Sequence, residues 1–322
     1  MKRTILFVVP ICISILLLSF SGKNQEQSKP ALLRTLIIDP GHGGIDPGAR
    51  GSFSTEANVS LEVALKFGKA LEKEFPDLKI IYTRTSDVMA GNKKNKNDGN
   101  RYRATLANES GGDLFIAIHC NAAPAVRHRT FIRNKTVTYY TGKGKKRRKV
   151  TKKVPQYRYW STPNPAHGTE TYIWAVGKND AKVGAVHHNP EDYGEIDSTS
   201  TLELPDPSDP AEKARMLIYA QNFFKKSLQL ADLVEKEFTA TGRLSRGVKQ
   251  RNHTGIWVLQ ATGMPSILVE LGFLSHAGDE KYLNSEKGQE EMVEDLVNAF
   301  KTYKQRIESK SMSAAAADQK GF

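Results

Sequence analysis

Cysteine is scarce in this chain, which has two cysteines among its 322 residues. One of them, Cys12, lies in an N-terminal apolar segment that we expect to be cleaved, so the mature chain would keep only Cys120. A single cysteine excludes an intramolecular disulfide, even in an oxidising compartment. The folded protein must therefore be stabilised by its hydrophobic core or by a bound metal.

Long hydrophobic runs are equally scarce, and the N-terminus has the one that stands out, within MKRTILFVVPICISILLLSFSG. Basic residues precede the apolar run Ile5–Phe20, and the small residues Ser19 and Ser21 predict cleavage after Ser21, as is typical of a signal peptide. An uncleaved membrane anchor is the alternative. We expect residues 1–21 to be a signal peptide and 22–31 a linker, so that the folded part is exported to the periplasm or cell envelope.

Acidic residues are missing from one long stretch of the chain, between Asp113 and Glu170. Within it, the segment Arg127–Arg158 holds 13 lysines and arginines, while the whole chain has a net charge of +12. Alternating apolar and polar residues predict strands around a basic tip, and hence a hairpin-like insertion at about 125–163. We expect this segment to bind an anionic envelope polymer or lipid, and we do not expect an exported chain to bind nucleic acid.

Basic residues are missing from a second stretch, between Lys182 and Lys213, which holds eight acidic residues. Both charged stretches interrupt the pattern of the remaining chain. We expect the acidic segment, at about 187–212, to be an exposed loop, because its prolines disfavour a continuous helix.

The rest of the chain alternates short apolar runs with amphipathic stretches, which indicates strands alternating with helices. The sequence predicts a single α/β domain over residues 32–306, with a mostly parallel, twisted sheet flanked by helices on both faces. We expect a disordered tail at 307–322. The predicted strands are LLRTLIID, LKIIYTRT, DLFIAIHCNAA, TETYIWAV, GIWVLQAT and PSILVEL, and the predicted helices span about 56–75, 101–109, 211–239 and 279–304.

Four polar residues fall at the predicted carboxyl ends of strands or close to them. His42 follows the first strand in the glycine-rich loop IIDPGHGGIDPGARG, His119 ends the third strand, and Glu270 ends the last one. Glu56, at the start of the first helix, can reach the same edge. Ligands of parallel sheets bind at this edge. Two imidazoles and one carboxylate are the ligand set of a catalytic zinc site, and a second carboxylate such as Glu270 could act as general base. Taken singly, a strand-end histidine and a first-turn glutamate are also common structural features.

The motifs DPGHGG, EANVSLEVA, DLFIAIHCNAA, GTETY and MPSILVELGFLSH occur in an order that resembles the zinc-dependent N-acetylmuramoyl-L-alanine amidases. These bacterial enzymes cleave the amide bond between muramic acid and the first L-alanine of the peptidoglycan stem peptide, in cell-wall remodelling or daughter-cell separation. The resemblance implies one Zn²⁺ per chain, bound by His42, Glu56 and His119, and a catalytic Glu270. The basic insertion departs from the short connection expected in this family.

The resemblance has further implications and leaves alternatives open. Arg84 and Arg103, in YTRTSD and RYRATLAN, are expected to support the fold. A protein activator is an expected partner, since some relatives carry a glutamate that blocks the zinc until a partner displaces it, and Glu191 or Glu195 could play that part here. A non-catalytic peptidoglycan-binding module and a zinc peptidase that cuts within the stem peptide are the alternative functions.

Overall fold

The computed structural model describes residues 33–175, 210–251 and 255–320, and for residues 210–216 and 311–320 it describes the backbone alone. The expected signal peptide and linker, and the acidic segment as far as residue 209, lie outside the described residues. Residues 33–306 form one compact unit. In the described part of the chain, no helix is both long enough and apolar enough to cross a bilayer.

The strands of the described residues form a central sheet and a separate hairpin. They are β1 (Thr35–Pro40), β2 (Lys79–Tyr82), β3 (Leu114–Asn121), β4 (Val126–Thr141), β5 (Arg148–Thr162), β6 (Thr169–Ile173), β7 (Ser245–Gln250) and β8 (Ser266–Phe273). The sheet has the order β2-β1-β3-β8-β6-β7. Strands β2, β1, β3 and β8 are parallel, whereas β6 runs antiparallel to β8 and pairs in parallel with β7. The prediction of a mostly parallel sheet is therefore confirmed.

The helices cover the sheet and shape its edge. They are α1 (Glu56–Glu74), α2 (Lys96–Glu109), α3 (Pro210–Ala240), α4 (Trp257–Ala261), α5 (Ala277–Leu283) and α6 (Glu286–Lys320). Helix α1 packs on β1 and β3, and α3 packs on β6, β7 and β8. Every residue of β1 and β8 is buried, and because successive side chains of a strand point to opposite faces, both faces of the sheet are covered.

Three predicted elements differ from the structure. GIWVLQAT is not a strand but contains the short helix α4, in which Trp257 is exposed while Val258 and Leu259 are both buried, so the run does not alternate between faces. The tail predicted to be disordered continues α6 to Lys320, which its run of alanines favours. The single helix expected at 279–304 is two helices, α5 and α6, and β7 was not predicted.

The predicted basic hairpin is present as a long antiparallel ribbon, and we call residues 126–162 the basic arm. Strands β4 and β5 pair from Val126–Thr162 at the root to Thr141–Arg148 near the tip, with a bulge after Phe131. Most of its residues are exposed along both strands. The root of the arm lies between the end of β3 and the start of β6, so the arm departs from the edge of the sheet where His119 lies.

Candidate active site

The structure brings the four predicted site residues to one edge of the sheet. His42 follows β1, Glu56 is the first residue of α1, and His119 is near the end of β3. Glu270 in β8 is the register partner of His119, which places the two residues side by side. All four residues line one cavity of about 410 Å³.

Glu56 lies between the two histidines. Its Oε1 is 2.7 Å from Nδ1 of His119 and 3.1 Å from Nε2 of His42. The same carboxylate accepts hydrogen bonds from the backbone N–H groups of Cys120 and Ala49, at 3.1 and 2.7 Å. One ligand atom each from His42, Glu56 and His119 lie within 4.8 Å of one another. The three side chains are therefore fixed around a common point.

Glycines in the loop after β1 leave room for these side chains. A Cβ on Gly41 would lie 2.4 Å from Cε1 of His119, and one on Gly48 would lie 2.5 Å from Oε2 of Glu56. Gly48 also has a φ of +66°, in the left-handed region that favours glycine. His42 itself has a φ of 60°, which is uncommon outside glycine. The glycine-rich sequence thus allows the loop to pack directly against the histidine and glutamate side chains.

Buried arginines hold the same loop by its carbonyl groups. Arg84 donates to the backbone oxygens of Pro40, Gly41 and Ala57, with distances of 2.7 Å to the last two. Arg103 donates to the carbonyl of His42 at 2.6 Å and forms an ion pair with Asp39. The two arginines were expected to support the fold, and the part of the fold that they hold is the backbone that carries His42.

Asp46 orients His42 from the side away from Glu56. Its Oδ2 lies 2.8 Å from Nδ1 of His42, and its Oδ1 lies 2.6 Å from Nζ of Lys96. Burial would raise the pKa of Asp46, but the hydrogen bonds from Lys96 and His42 outweigh it and lower the pKa. A carboxylate on the second ring nitrogen is the usual partner of a metal-binding histidine, since it fixes the tautomer and the ring orientation.

The charges of the site favour different protonation states at its two glutamates. Burial raises the pKa of Glu270 to about 8, and the negative charge of Glu56 adds to the effect. Among the described residues, Oε2 of Glu270 has no hydrogen-bond partner, and Arg251 lies 3.8 Å from Oε1. Burial also opposes ionisation of Glu56, but its hydrogen bonds with His119 and His42 hold its pKa well below the usual range. The hydrogen bonds with Glu56 and Asp46 likewise raise the pKa of His42 against the effect of burial.

Glu170 pairs with Glu270 across β6 and β8 but is held in a network of its own. It accepts hydrogen bonds from Tyr172 at 2.7 Å and from Arg246 and Lys249. Burial would raise the pKa of Glu170, but these hydrogen bonds lower it. Glu170 is therefore an ionised, fully engaged carboxylate, whereas Glu270 next to it lines the cavity and has one oxygen without a hydrogen-bond partner among the described residues.

The arrangement fits a divalent metal of the zinc type. Two imidazole nitrogens and one carboxylate oxygen are the protein donors of many catalytic zinc sites, which leave a position open for water or substrate. Three donors converge here, and a second carboxylate lines the same cavity without being needed as a ligand. His42, Glu56 and His119 are the residues that would hold the ion.

Sequence reasoning missed several residues of the site. Asp46 lies four residues after His42 in the same loop, so its proximity could have been anticipated, whereas Lys96 comes from α2 and carried no signal. Trp257 lines the cavity from α4, in a run that had been predicted to be a strand, and Arg251 lines it from the position after β7, a strand that was not predicted. These two differences explain why neither residue was expected at the site.

Comparison with known proteins gives one family. The family model described as N-acetylmuramoyl-L-alanine amidase matches residues 36–302. An uncharacterised cell wall amidase of Bacillus anthracis is 25% identical over 271 residues, which are 84% of this chain and 35% of that protein. The germination-specific N-acetylmuramoyl-L-alanine amidase of Bacillus subtilis is 31% identical over 158 residues, which are 46% of this chain and 64% of that protein. The alignments thus span less than two thirds of either relative.

A solved structure shares the fold. The CwlD amidase of Clostridioides difficile, in complex with the GerS lipoprotein, superposes with a TM-score of 0.51 and 20% sequence identity. The alignment covers 84% of this chain and 98% of that one. At this level of identity the likeness supports the α/β architecture and nothing further about chemistry.

Proposed function

This chain belongs to the N-acetylmuramoyl-L-alanine amidase family, and we propose that it is a zinc-dependent enzyme that hydrolyses the amide bond between N-acetylmuramic acid and L-alanine in peptidoglycan. The observation that carries the proposal is the convergence of His42, Glu56 and His119 beside the buried Glu270, whose Oε2 has no hydrogen-bond partner among the described residues. A metal-binding set and a separate carboxylate that can accept a proton are what metal-assisted amide hydrolysis requires.

In this proposal the chain supplies binding, orientation and proton transfer. Bound zinc would polarise the amide carbonyl and lower the pKa of the attacking water. Glu270 would accept a proton from that water on its free oxygen and deliver it to the departing amine of L-alanine. Asp46 and Lys96 would keep His42 in its binding orientation, and the arginines behind the loop would keep its backbone in place.

We further propose that the protein is exported to the cell envelope, where its substrate lies. The N-terminal pattern of a basic start, an apolar run and small residues supports export. A role in cell-wall remodelling or daughter-cell separation is consistent with the bond that is cleaved. A protein activator remains part of the proposal, since a relative of the same fold is found in complex with a lipoprotein.

Mass spectrometry of digested peptidoglycan tests this function. Free stem peptides that begin with L-alanine, released beside intact glycan strands, are the expected products. The matched control is Glu270→Gln, which keeps the size and burial of the side chain but cannot accept a proton, and should release these products at least about 100-fold more slowly. Fragments cut within the stem peptide would instead identify a peptidase, and binding without any product would identify a non-catalytic module.

A further inference from the structure

The basic arm is a long ribbon whose charged side chains are all of one sign. Its paired strands of 16 and 15 residues correspond to a length of about 50 Å. All 13 of its charged side chains are cationic, which leaves the remaining chain close to neutral. The cavity at its root is lined by charges of both signs: Asp39, Asp46, Glu56 and Glu270 together with Lys96, Arg103 and Arg251. The arm therefore adds a surface of purely positive charge to a site of mixed charge.

The register of the arm places its cations on both faces and concentrates them at the tip. Paired residues of antiparallel strands share a face, so Arg129 and Lys153 lie on one face and Arg133 and Lys152 on the other. The turn and its flanks hold six more cations within seven residues: Lys143, Lys145, Lys146, Arg147, Arg148 and Lys149. A polymer that carries anionic branches can pair with such a surface at many points along its length.

A cluster of aromatic side chains lies at the root of the arm, which joins the edge of the sheet that carries His119. Phe131 packs edge-on to Tyr157 with 6.0 Å between ring centroids, and Tyr157 is 6.2 Å from Tyr159. On the other face, Trp160 stacks on His128 at 5.3 Å. Phe131, Tyr159 and Trp160 are 51%, 69% and 46% exposed. Exposed aromatic rings of this kind bind the apolar faces of sugar rings, which gives the root a chemistry suited to a glycan.

We propose that the basic arm is a second binding surface for the peptidoglycan strand, in which the root aromatics contact sugar rings and the cations pair with stem-peptide carboxylates. The proposal rests on the hydrolase function proposed above and deepens it, because it says how the polymer is held while the site cleaves. A two-stranded ribbon is only marginally stable by itself, so a polymer laid along it would also stabilise the arm.

Co-sedimentation with purified sacculi, in the Glu270→Gln background so that the polymer stays intact, tests the proposal. Phe131→Ala with Tyr159→Ala should weaken binding by about tenfold or more, as expected when central aromatic contacts are lost. The matched control is Tyr139→Ala with Tyr140→Ala, which removes two exposed rings near the tip, 44% and 58% accessible, and should weaken binding much less. Equal binding by the root variant and its parent would overturn the assignment of the root.

Charge is tested separately. Replacing the six tip cations with glutamine should weaken binding to sacculi and flatten its dependence on salt, because screened ion pairs are lost. Lys69→Gln with Lys73→Gln, on the exposed face of α1, is the control and should leave binding unchanged. Unchanged binding by the tip variant would overturn the proposal, as would stronger binding to anionic lipid vesicles than to sacculi.

Turnover of a soluble muramoyl peptide, measured with the arm variants in an otherwise wild-type chain, separates this proposal from the proposed function. The root and tip variants should keep kcat/KM on the soluble fragment and lose it on sacculi, mainly through a higher KM. Loss on both substrates to the same degree would contradict the arm as a polymer-binding surface. If the wild-type chain showed no turnover and only the arm variants lost binding to sacculi, the hydrolase function would be rejected, but the binding surface on the arm would still be supported.

Discussion

Replacing Glu270 by glutamine should stabilise the metal-free protein at neutral and alkaline pH. Glu270 is buried, one of its oxygens has no partner among the described residues, and its pKa is raised from 4.5 to about 8. A carboxyl whose pKa is raised in the folded state contributes stability that is fully present below its unfolded pKa and is lost as the pH rises through its folded pKa. Glutamine stays neutral and avoids this loss.

The size of the effect follows from the two pKa values. The difference between about 8 and 4.5 corresponds to about 5 kcal/mol in the limit of high pH, at about 1.4 kcal/mol per pKa unit. Between about pH 5 and pH 8, the free energy of unfolding of the wild type should fall by about 3 kcal/mol relative to Glu270→Gln. His42 and Glu56 are present in both proteins, so their contributions largely cancel in the difference.

Urea unfolding at several pH values, with a chelator present throughout, measures this difference. The chelator is needed because a bound cation would favour the ionised form of Glu270. Glu280→Gln is the matched control, in which the change in stability should have the opposite sign. Hydrogen bonds from Ser52, Phe53 and Ser54 outweigh burial and lower the pKa of Glu280 to about 2. That variant should be less stable than the wild type at neutral pH. Parallel stability profiles for wild type and Glu270→Gln from pH 5 to pH 8 would refute the reasoning.

Three further variants test the construction of the site. Asp46→Asn should lower zinc affinity by about 10- to 100-fold, because Asp46 orients His42. Competition with a chelating dye measures the affinity, and the control Asp98→Asn, at an exposed position, should leave it unchanged. Gly41→Ala should lower zinc affinity or thermal stability, since its methyl group would lie 2.4 Å from the His119 ring, and a wild-type melting curve with full zinc content would contradict that contact. His119→Ala should bind little zinc by elemental analysis and should no longer be stabilised by added zinc, and an unchanged metal content would remove it from the ligand set.

The sequence was sufficient to predict which residues meet at the site. His42, His119 and Glu270 each lie at the carboxyl end of a strand, and parallel strands bring those ends to one edge. Glu56 follows because the helix after the first loop starts at the same edge. The topology of the sheet was therefore enough to bring together four residues that span more than 200 positions of the sequence, and no detail of packing was needed.

Interactions that depend on packing could not be predicted in the same way. The ion pair between Lys96 and Asp46 requires the position of α2 relative to the loop, which no local pattern encodes. Trp257 was missed because a short apolar run fits a strand and a helix about equally well, and Arg251 because it follows β7, which was not predicted. The separate network around Glu170 depends on β7, whose sequence SRGVKQ lacks the apolar alternation of a strand.

The most direct test of the account is turnover of a soluble muramoyl peptide, with zinc content determined on the same samples, for wild type and Glu270→Gln. The account predicts that the wild type binds one zinc and cleaves the bond to L-alanine, that chelation abolishes cleavage, and that added zinc restores it. Glu270→Gln should keep its zinc and lose about 10²- to 10⁴-fold in kcat. Full activity in a thoroughly chelated sample, or loss of zinc from the glutamine variant, would contradict the roles assigned to the ligand set and to Glu270.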